Sequence, residues 1–469
     1  MSLWTAPAIA AACGGTVHGD FACDDVTFDS REVAAGDLFI ALTGEVTDGH
    51  RYLDAARSRG ASGLLVQEGR GDSGPHVAVP DTFAALNALA AAARDRSSAL
   101  RIGVTGSVGK TGVKEALRAA LARHAPHGVH ASVKSYNNHT GVPLSLARMP
   151  ADTRFGVFEM GMNHAGELAA LTGLVRPHIA IVTWVASAHR EYFASEADIA
   201  AAKAEIFGGL PAGGTAIIPH DNPHAALLAA AAADRGVRVV RFGQTGGDVV
   251  AKRVALHPDC SCVTARVGDE VLSFKVGMAG SHWVNNALAV LAAVQAAGAD
   301  LALAGLALAD MTGLPGRGRR LRVAAGAGQA VVIDESYNAN PASMAASLAV
   351  LGGITPPRAG RRLVVLGAMK ELGEESARFH ADLARHVISA GVATAILVGP
   401  DMKPLGSALG RQLDVRHVAD ADAALAEVER CLAPDDILLA KASNSVGLGR
   451  LIAALETAER AAAGPGGTP

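Results

Sequence analysis

A chain of 469 residues is too long for one ordinary core, and typical domain sizes divide it into roughly two to four units. Half of its residues are hydrophobic and only 4% are aromatic, an Ala, Val and Leu surplus that suits helices packed on buried parallel strands. A formal net charge of -3 supplies no general attraction to nucleic acid or an anionic membrane, so no polymer partner is expected.

The apolar stretch 3–13 has no Lys or Arg before it and reads as a first-domain helix rather than an export leader. Short strands and turns follow: VTFDSREV at 26–33, GDLFIAL at 36–42, the turn-rich GEVTDGHR at 44–51, a helix, and GASGLLVQ at 60–67. After the helical text at 84–100, an apolar strand, a Gly-rich turn and the helix VKEALRAALARH follow one another directly from Arg101. Strand-like runs recur at FGVFEM (155–160), HIAIVTWV (178–185), TAIIP (215–219) and VRVVRFG (237–243), separated by helical text. That alternation predicts a parallel sheet with crossover helices. A β-rich patch at 249–278 and a helix pair come next. The Ala-rich run 284–309 is broken by Asn285, Asn286, Gln295 and Asp300, so it reads as buried helices and no membrane span is expected. Beyond the linker-like GLPGRG (313–318) the alternation restarts with AVVIDES, RRLVVLG, ATAILVG and DDILLAKAS. The expected division is 1–98, 99–313 and 314–460, with 461–469 disordered. Five scattered cysteines (Cys13, Cys23, Cys260, Cys262, Cys431) lack C-x-x-C spacing, so reduced cytoplasmic thiols are expected rather than disulfides or zinc.

The loop Thr105-Gly106-Ser107-Val108-Gly109-Lys110-Thr111 carries the sharpest chemistry. Val104 stands where the full phosphate-loop pattern has its first glycine, leaving the shorter G-x-x-G-K-T. Gly106 and Gly109 let backbone N–H groups turn toward phosphate oxygens, Lys110 neutralises their charge, and Thr111 offers a hydroxyl to Mg²⁺. Glu159 ends a strand beside this loop; a magnesium contact and a solvated strand-end carboxylate both fit it. His189 follows the next strand and arrives at the same edge, where a lone histidine is more often structural. Lys203 lies on a helix opened by the capping-box-like S-E-A-D and, taken alone, reads as a surface lysine. Two polar islands, SYNNHTGVP (135–143) and DESYNANP (334–341), hold more hydrogen-bonding groups than ordinary connectors need.

In this order the motifs resemble the muramyl-peptide ligases of cell-wall synthesis along nearly the whole chain. The match is carried by DSREVAAGDLFIAL with GEVTDGH, by TGSVGKT, SYNNHTGVPLSLARMP and FEMGMNHAGE, by GSHWVNNALAVLAA, by PGRGR with DESYNANPASM, and by LGAMKELG with LAKASNSVGL. NNHTGVP and YNANPASM point within the family to the branch that adds D-alanyl-D-alanine. The resemblance implies an α/β protein of three domains: a small mixed domain for the UDP-sugar, a central ATPase domain with a parallel sheet, and a C-terminal Rossmann-like domain. It implies an ADP-forming ligase of peptidoglycan precursor synthesis. The terminal carboxylate of UDP-N-acetylmuramoyl-tripeptide takes the γ-phosphoryl of ATP, and the amine of D-alanyl-D-alanine attacks the acyl phosphate. A cytoplasmic monomer is expected.

Carried over residue by residue, the resemblance makes Lys110, Glu159, His189 and Lys203 catalytic, with Thr111, Glu159, His189 and a carbamylated Lys203 serving two Mg²⁺ sites. Gly106, Ser107, Gly109, Lys110, Thr111, Asn286, Arg317 and the pair Asp334/Glu335 correspond to ATP contacts. Ser30, Arg31, Asn138 and Thr140 correspond to contacts with the UDP-sugar or its phosphates, and Asn338 and Asn340 face the reacting peptide or dipeptide. The sequence departs from the family pattern at Val108 (usually Asn), Gly112 (a hydroxyl residue), Ala368 (Asp), Ala442 (Gly) and Glu335 (Asp). Competing assignments are a sister ligase for diaminopimelate or folate-type glutamate, a kinase or GTPase, and a non-catalytic nucleotide binder.

Overall fold

The computed structural model describes residues 2–44 and 47–463, so Glu45 and Val46 of the GEVTDGH segment and residues 464–469 of the expected tail lie outside the described residues. Three large sheets partition the chain. The first has the order Thr16–His18, His76–Val79, Gly63–Gln67, Asp37–Ile40, Asp25–Thr27, parallel except for its first pair. Helices Ala6–Cys13 and Thr82–Asp95 bury Ile9, Leu86 and Leu89 against Leu38, Leu65 and Val77. The strand expected over 26–33 stops at Thr27. Asp29 accepts from the backbone N–H and the guanidinium of Arg31, closing a turn that takes the chain out of the sheet.

The central sheet has nine strands, in the order Glu270–Val276, Ser261–Val267, Val249–Leu256, Arg238–Gly243, Thr215–Pro219, Ile179–Val182, Leu100–Thr105, Phe155–Glu159, Val129–Ala131. Its first two pairings are antiparallel and the rest parallel, so only Ser261–Val267 runs against the others. Helices cover both faces. Val113, Leu117 and Leu121 of Lys110–His124 join Val284, Leu288 and Leu291 of Ser281–Ala296 on one face; Leu168, Ile199 and Leu228 from three further helices fill the other. Burial on both sides is why the strands read as continuous apolar runs. The chain leaves Leu100–Thr105 on one side and returns to pair on the other, so the ends of Leu100–Thr105, Phe155–Glu159 and Ile179–Val182 converge where the strand order reverses. Crevices at such reversals hold ligands.

The third sheet has the order Arg319–Ala325, Gly328–Glu335, Ile437–Lys441, Arg362–Gly367, Thr394–Val398, Asp414–Val418, parallel except for its first pair. Its two outer strands, RRLRVAA and DVRHV, escape sequence reading because edge strands tolerate charge that central strands do not. Helix Leu448–Ala463 runs into the segment expected to be disordered. Among the described residues no helix is long and apolar enough to cross a membrane.

Candidate active site

Leu100–Thr105 delivers the chain into a loop that turns on two glycines, Gly106 at φ 150° and Gly109 at φ 87°. Neither position has room for a side chain. A Cβ on Gly106 would lie 2.0 Å from Thr183 Oγ1, and one on Gly109 2.7 Å from Asn286 Oδ1. Ser107 fastens the loop to the neighbouring strand's exit: its N–H donates to the Trp184 carbonyl at 2.7 Å and its hydroxyl to the Ala186 carbonyl at 3.0 Å. Helix Lys110–His124 starts where the loop ends, so its free N–H groups and the positive end of its dipole face the cavity. Lys110 folds back and donates to the Gly106 carbonyl at 2.6 Å.

Glu159 is almost fully buried, and both its oxygens are held: Thr111 Oγ1 donates to one at 2.8 Å and Asn137 Nδ2 to the other at 2.7 Å. Thus the SYNNHTGVP island reaches the phosphate loop through Asn137. Lys114, one turn beyond Lys110, anchors that island from below. It has no exposed surface, donates to the carbonyls of Ser132 and Lys134 at 2.6 and 2.7 Å, and pairs with Glu115 at 2.7 Å.

Two lysine ammonium groups share this buried region. Burial lowers the Lys110 pKa, with Glu159 opposing and Arg317 adding to the shift. Lys203, at 1% exposure, is pushed well below the usual lysine range by burial and by the charge of Lys110. The surface-lysine reading therefore fails: the helix Glu196–Ala204 points Lys203 inward, and among the described residues no carboxylate offsets its charge. His189, at φ 58°, reaches the third domain, its Nδ1 lying 2.6 Å from Glu371 Oε2. The hydrogen bond from His189 holds the Glu371 carboxyl below the ordinary glutamate range against the effect of burial.

The third domain closes the opposite wall. The guanidinium of Arg317 stacks on Tyr337 at 4.1 Å and donates to Ser135 Oγ at 3.2 Å. Lys441, nearly buried, donates to Glu335 at 3.2 Å and to the Asn338 carbonyl at 3.0 Å. Between the walls lies a cavity of about 800 Å³, lined by the phosphate loop, Glu159, His189, Asn286, Arg317, Glu335 and Asn338. Asn340 also borders it, but its Oδ1 caps helix Pro341–Gly352 and its Nδ2 lies 3.4 Å from the Ser107 carbonyl, so it ties the two domains together.

Several expected contacts lie elsewhere. Asp334 does not line the cavity; it is buried and accepts from the N–H groups of Gly316 and Ser336 and the Ser336 hydroxyl, clamping the linker. Neighbouring residues on a strand point to opposite faces, so Glu335 is the acid that faces the cavity. Asn138 and Thr140 form a turn in which Asn138 Oδ1 accepts from the Thr140 hydroxyl and from Gly141 N–H. Ser30 and Arg31 lie in the first domain's turn, outside the cavity. That turn docks on the island through Glu32, which pairs with Lys134 and accepts from Tyr136 at 3.2 Å. Gly112, a departure from the family pattern, has a local reason: a Cβ there would meet the Trp283 ring at 2.7 Å. Sequence reasoning missed Lys114, Glu371 and Lys441. Only burial and pairing distant in sequence reveal them, although Glu371 and Lys441 sit within LGAMKELG and LAKASNSVGL.

Comparison with known proteins matches three consecutive family models: Mur ligase family, catalytic domain (24–96); Mur ligase middle domain (104–294); and Mur ligase, glutamate ligase domain (319–444). A UDP-N-acetylmuramoyl-tripeptide--D-alanyl-D-alanine ligase from Synechocystis sp. is 36% identical over 93% of this chain and 92% of its own length. A crystal structure of MurF from Acinetobacter baumannii is 28% identical, with a TM-score of 0.83 over 97% of this chain and 99% of that one. MurF ligase from Thermotoga maritima in complex with ADP is 26% identical, with a TM-score of 0.76 over 92% of this chain and 97% of that one.

Proposed function

The chain belongs to the Mur ligase family, and on that premise we propose that it joins D-alanyl-D-alanine to the terminal carboxylate of UDP-N-acetylmuramoyl-tripeptide, consuming ATP, in peptidoglycan precursor synthesis. One observation carries the reading beyond nucleotide binding: a single cavity sets the phosphate loop of the central domain against the polar 335–340 segment of the third. A kinase needs only a hydroxyl beside its phosphates. A ligase must bring an amine to the same carbon that it has just phosphorylated, and a two-sided cleft serves that.

A carboxylate is a poor electrophile because its charge repels an amine and oxide is a poor leaving group. Attack of a carboxylate oxygen on the γ-phosphorus releases ADP and forms an acyl phosphate. The dipeptide amine then adds to the carbonyl carbon, and the tetrahedral intermediate expels phosphate as the amine loses its proton. The first step brings two anions together and requires fixed positive charge. Lys110 and the N–H groups of the loop supply it, and Arg317 adds a cation from the opposite wall. Asn286, beside Gly109, and Glu335 correspond to further nucleotide contacts. Asn338 borders the space left for the dipeptide. Ser30 and Arg31, brought near the 134–140 island by Glu32, are assigned to the UDP-sugar.

Magnesium fits the donor set. Among the described residues no group of three or more His, Cys, Asp or Glu could alone hold a metal ion, and magnesium commonly binds through one or two carboxylates plus substrate phosphates. The Thr111 hydroxyl and Glu159 carboxylate form such a hard-oxygen pair beside the phosphate loop. Bound there, the metal would neutralise phosphate charge. His189 is assigned to a second site, together with Lys203 as its carbamate. Burial favours the neutral amine of Lys203, the form that adds to carbon dioxide, and the carbamate left after loss of a proton would be an anion. The cleft walls described above come from the central and third domains of one chain, which fits the monomer we propose, and use of ATP fits a place in the cytoplasm.

Phosphate release measured with a panel of amines tests the proposal. It is expected with UDP-N-acetylmuramoyl-tripeptide and D-alanyl-D-alanine together, and with neither alone. Release driven by diaminopimelate or by glutamate with a folate would identify a sister ligase instead, and a stable phosphorylated product without an amide would identify a kinase.

A further inference from the structure

His189 and Glu371 face each other across the boundary between the central and third domains, and each has a left-handed backbone, φ 58° and 62°. Residues other than glycine rarely adopt that conformation. Here it turns both side chains toward one contact, the 2.6 Å approach of Nδ1 to Oε2. The backbones meet as well: Glu191 N–H donates to the Glu371 carbonyl at 3.1 Å, and Arg190 pairs with Glu375 at 2.9 Å. The two loops are thus registered at several points with the imidazole at their centre.

A carboxylate can only accept, so Nδ1 must carry the proton in this pair. Neutral histidine then has its lone pair on Nε2, and among the described residues nothing hydrogen-bonds to that nitrogen. We propose that Glu371 is the positioning residue of the His189 metal site: it fixes the tautomer that presents Nε2 as a ligand, and it can do so only when the third domain is docked. An imidazole held by a carboxylate through its other nitrogen is a recurrent arrangement behind metal-bound histidines, and loss of the outer partner costs about 10- to 100-fold in metal affinity. Since Glu371 belongs to the third domain, metal binding and domain docking become one linked equilibrium. The metal half rests on the ligase reading above. The tautomer half does not.

Histidine ¹⁵N chemical shifts of the metal-free full-length chain, with Mn²⁺ titrations in the presence of ADP, test this in Glu371→Ala and Glu375→Ala. Glu375→Ala removes the neighbouring ion pair while leaving the His189 partner intact. The wild type and Glu375→Ala are expected to show Nδ1-protonated His189, whereas Glu371→Ala reverts toward the Nε2-protonated form that predominates in water. Mn²⁺ affinity should fall about 10- to 100-fold in Glu371→Ala, and much less in Glu375→Ala. An unchanged tautomer in Glu371→Ala, or equal losses of Mn²⁺ affinity in the two variants, would overturn the proposal: Glu371 would then only hold the interface. A failure of the ligase reading would leave the tautomer result standing and appear instead in the amine panel.

Discussion

Gly106→Ala puts the phosphate loop to its most specific test. At φ 150° the position suits glycine alone, and holding another residue there costs roughly 1–3 kcal/mol. The new Cβ would also stand 2.0 Å from Thr183 Oγ1, a hydroxyl whose single proton is shared between the carbonyls of Thr105 and Val108. Displacing it forfeits that shared hydrogen bond, worth about 1 kcal/mol. Together the terms reach about 2–4 kcal/mol if the loop must keep its shape to bind, or roughly 30-fold to a thousand-fold in ADP affinity. Calorimetric titration with ADP, alongside a thermal melt to establish folding, measures the loss. Thr183→Ala removes the clash but not the backbone cost, so Gly106→Ala in that background should lose about 1 kcal/mol less. Wild-type affinity in Gly106→Ala, or the same loss with and without Thr183, would refute the assigned loop geometry.

Three further perturbations probe the surroundings of that loop. Lys203→Ala should abolish phosphate release, and wild-type turnover should fall in buffers stripped of carbon dioxide and recover with bicarbonate; indifference to bicarbonate would count against the carbamate. Asn137→Ala leaves one oxygen of the buried Glu159 carboxylate without its donor and should cost about 1–3 kcal/mol in urea unfolding, with weaker Mg²⁺-dependent ADP binding. Gly112→Ser, which restores a hydroxyl, should destabilise the chain by about 1–3 kcal/mol through overpacking against Trp283. Most of that loss should disappear in a Trp283→Leu background.

What the sequence revealed of the site follows from local rules, and what it concealed follows from long-range ones. Gly106, Gly109 and Lys110 are legible because a glycine turn between an apolar strand and a helix has few other uses. Glu159 and His189 are legible as neighbours of the loop because parallel strands deliver their C-terminal ends to one edge. The burial of Lys203 was not legible, since helix Glu196–Ala204 is Ala-rich and does not say which side faces inward. The choice between Asp334 and Glu335 depends on which face of their strand opens on the cleft. Glu371 meets His189 from 182 positions away, and Gly112 makes sense only once Trp283 is beside it. The strands Thr16–His18 and Asp414–Val418 were missed because both are polar edge strands.

The most direct measurement of the central claim follows oxygen. UDP-N-acetylmuramoyl-tripeptide labelled with ¹⁸O in its terminal carboxylate is incubated with ATP, Mg²⁺, D-alanyl-D-alanine and the enzyme, and the phosphate and peptide products are analysed by mass spectrometry. Passage through an acyl phosphate predicts one ¹⁸O in the released phosphate and one retained in the new amide. Unlabelled phosphate, or labelled phosphate without the amide of D-alanyl-D-alanine, would contradict it.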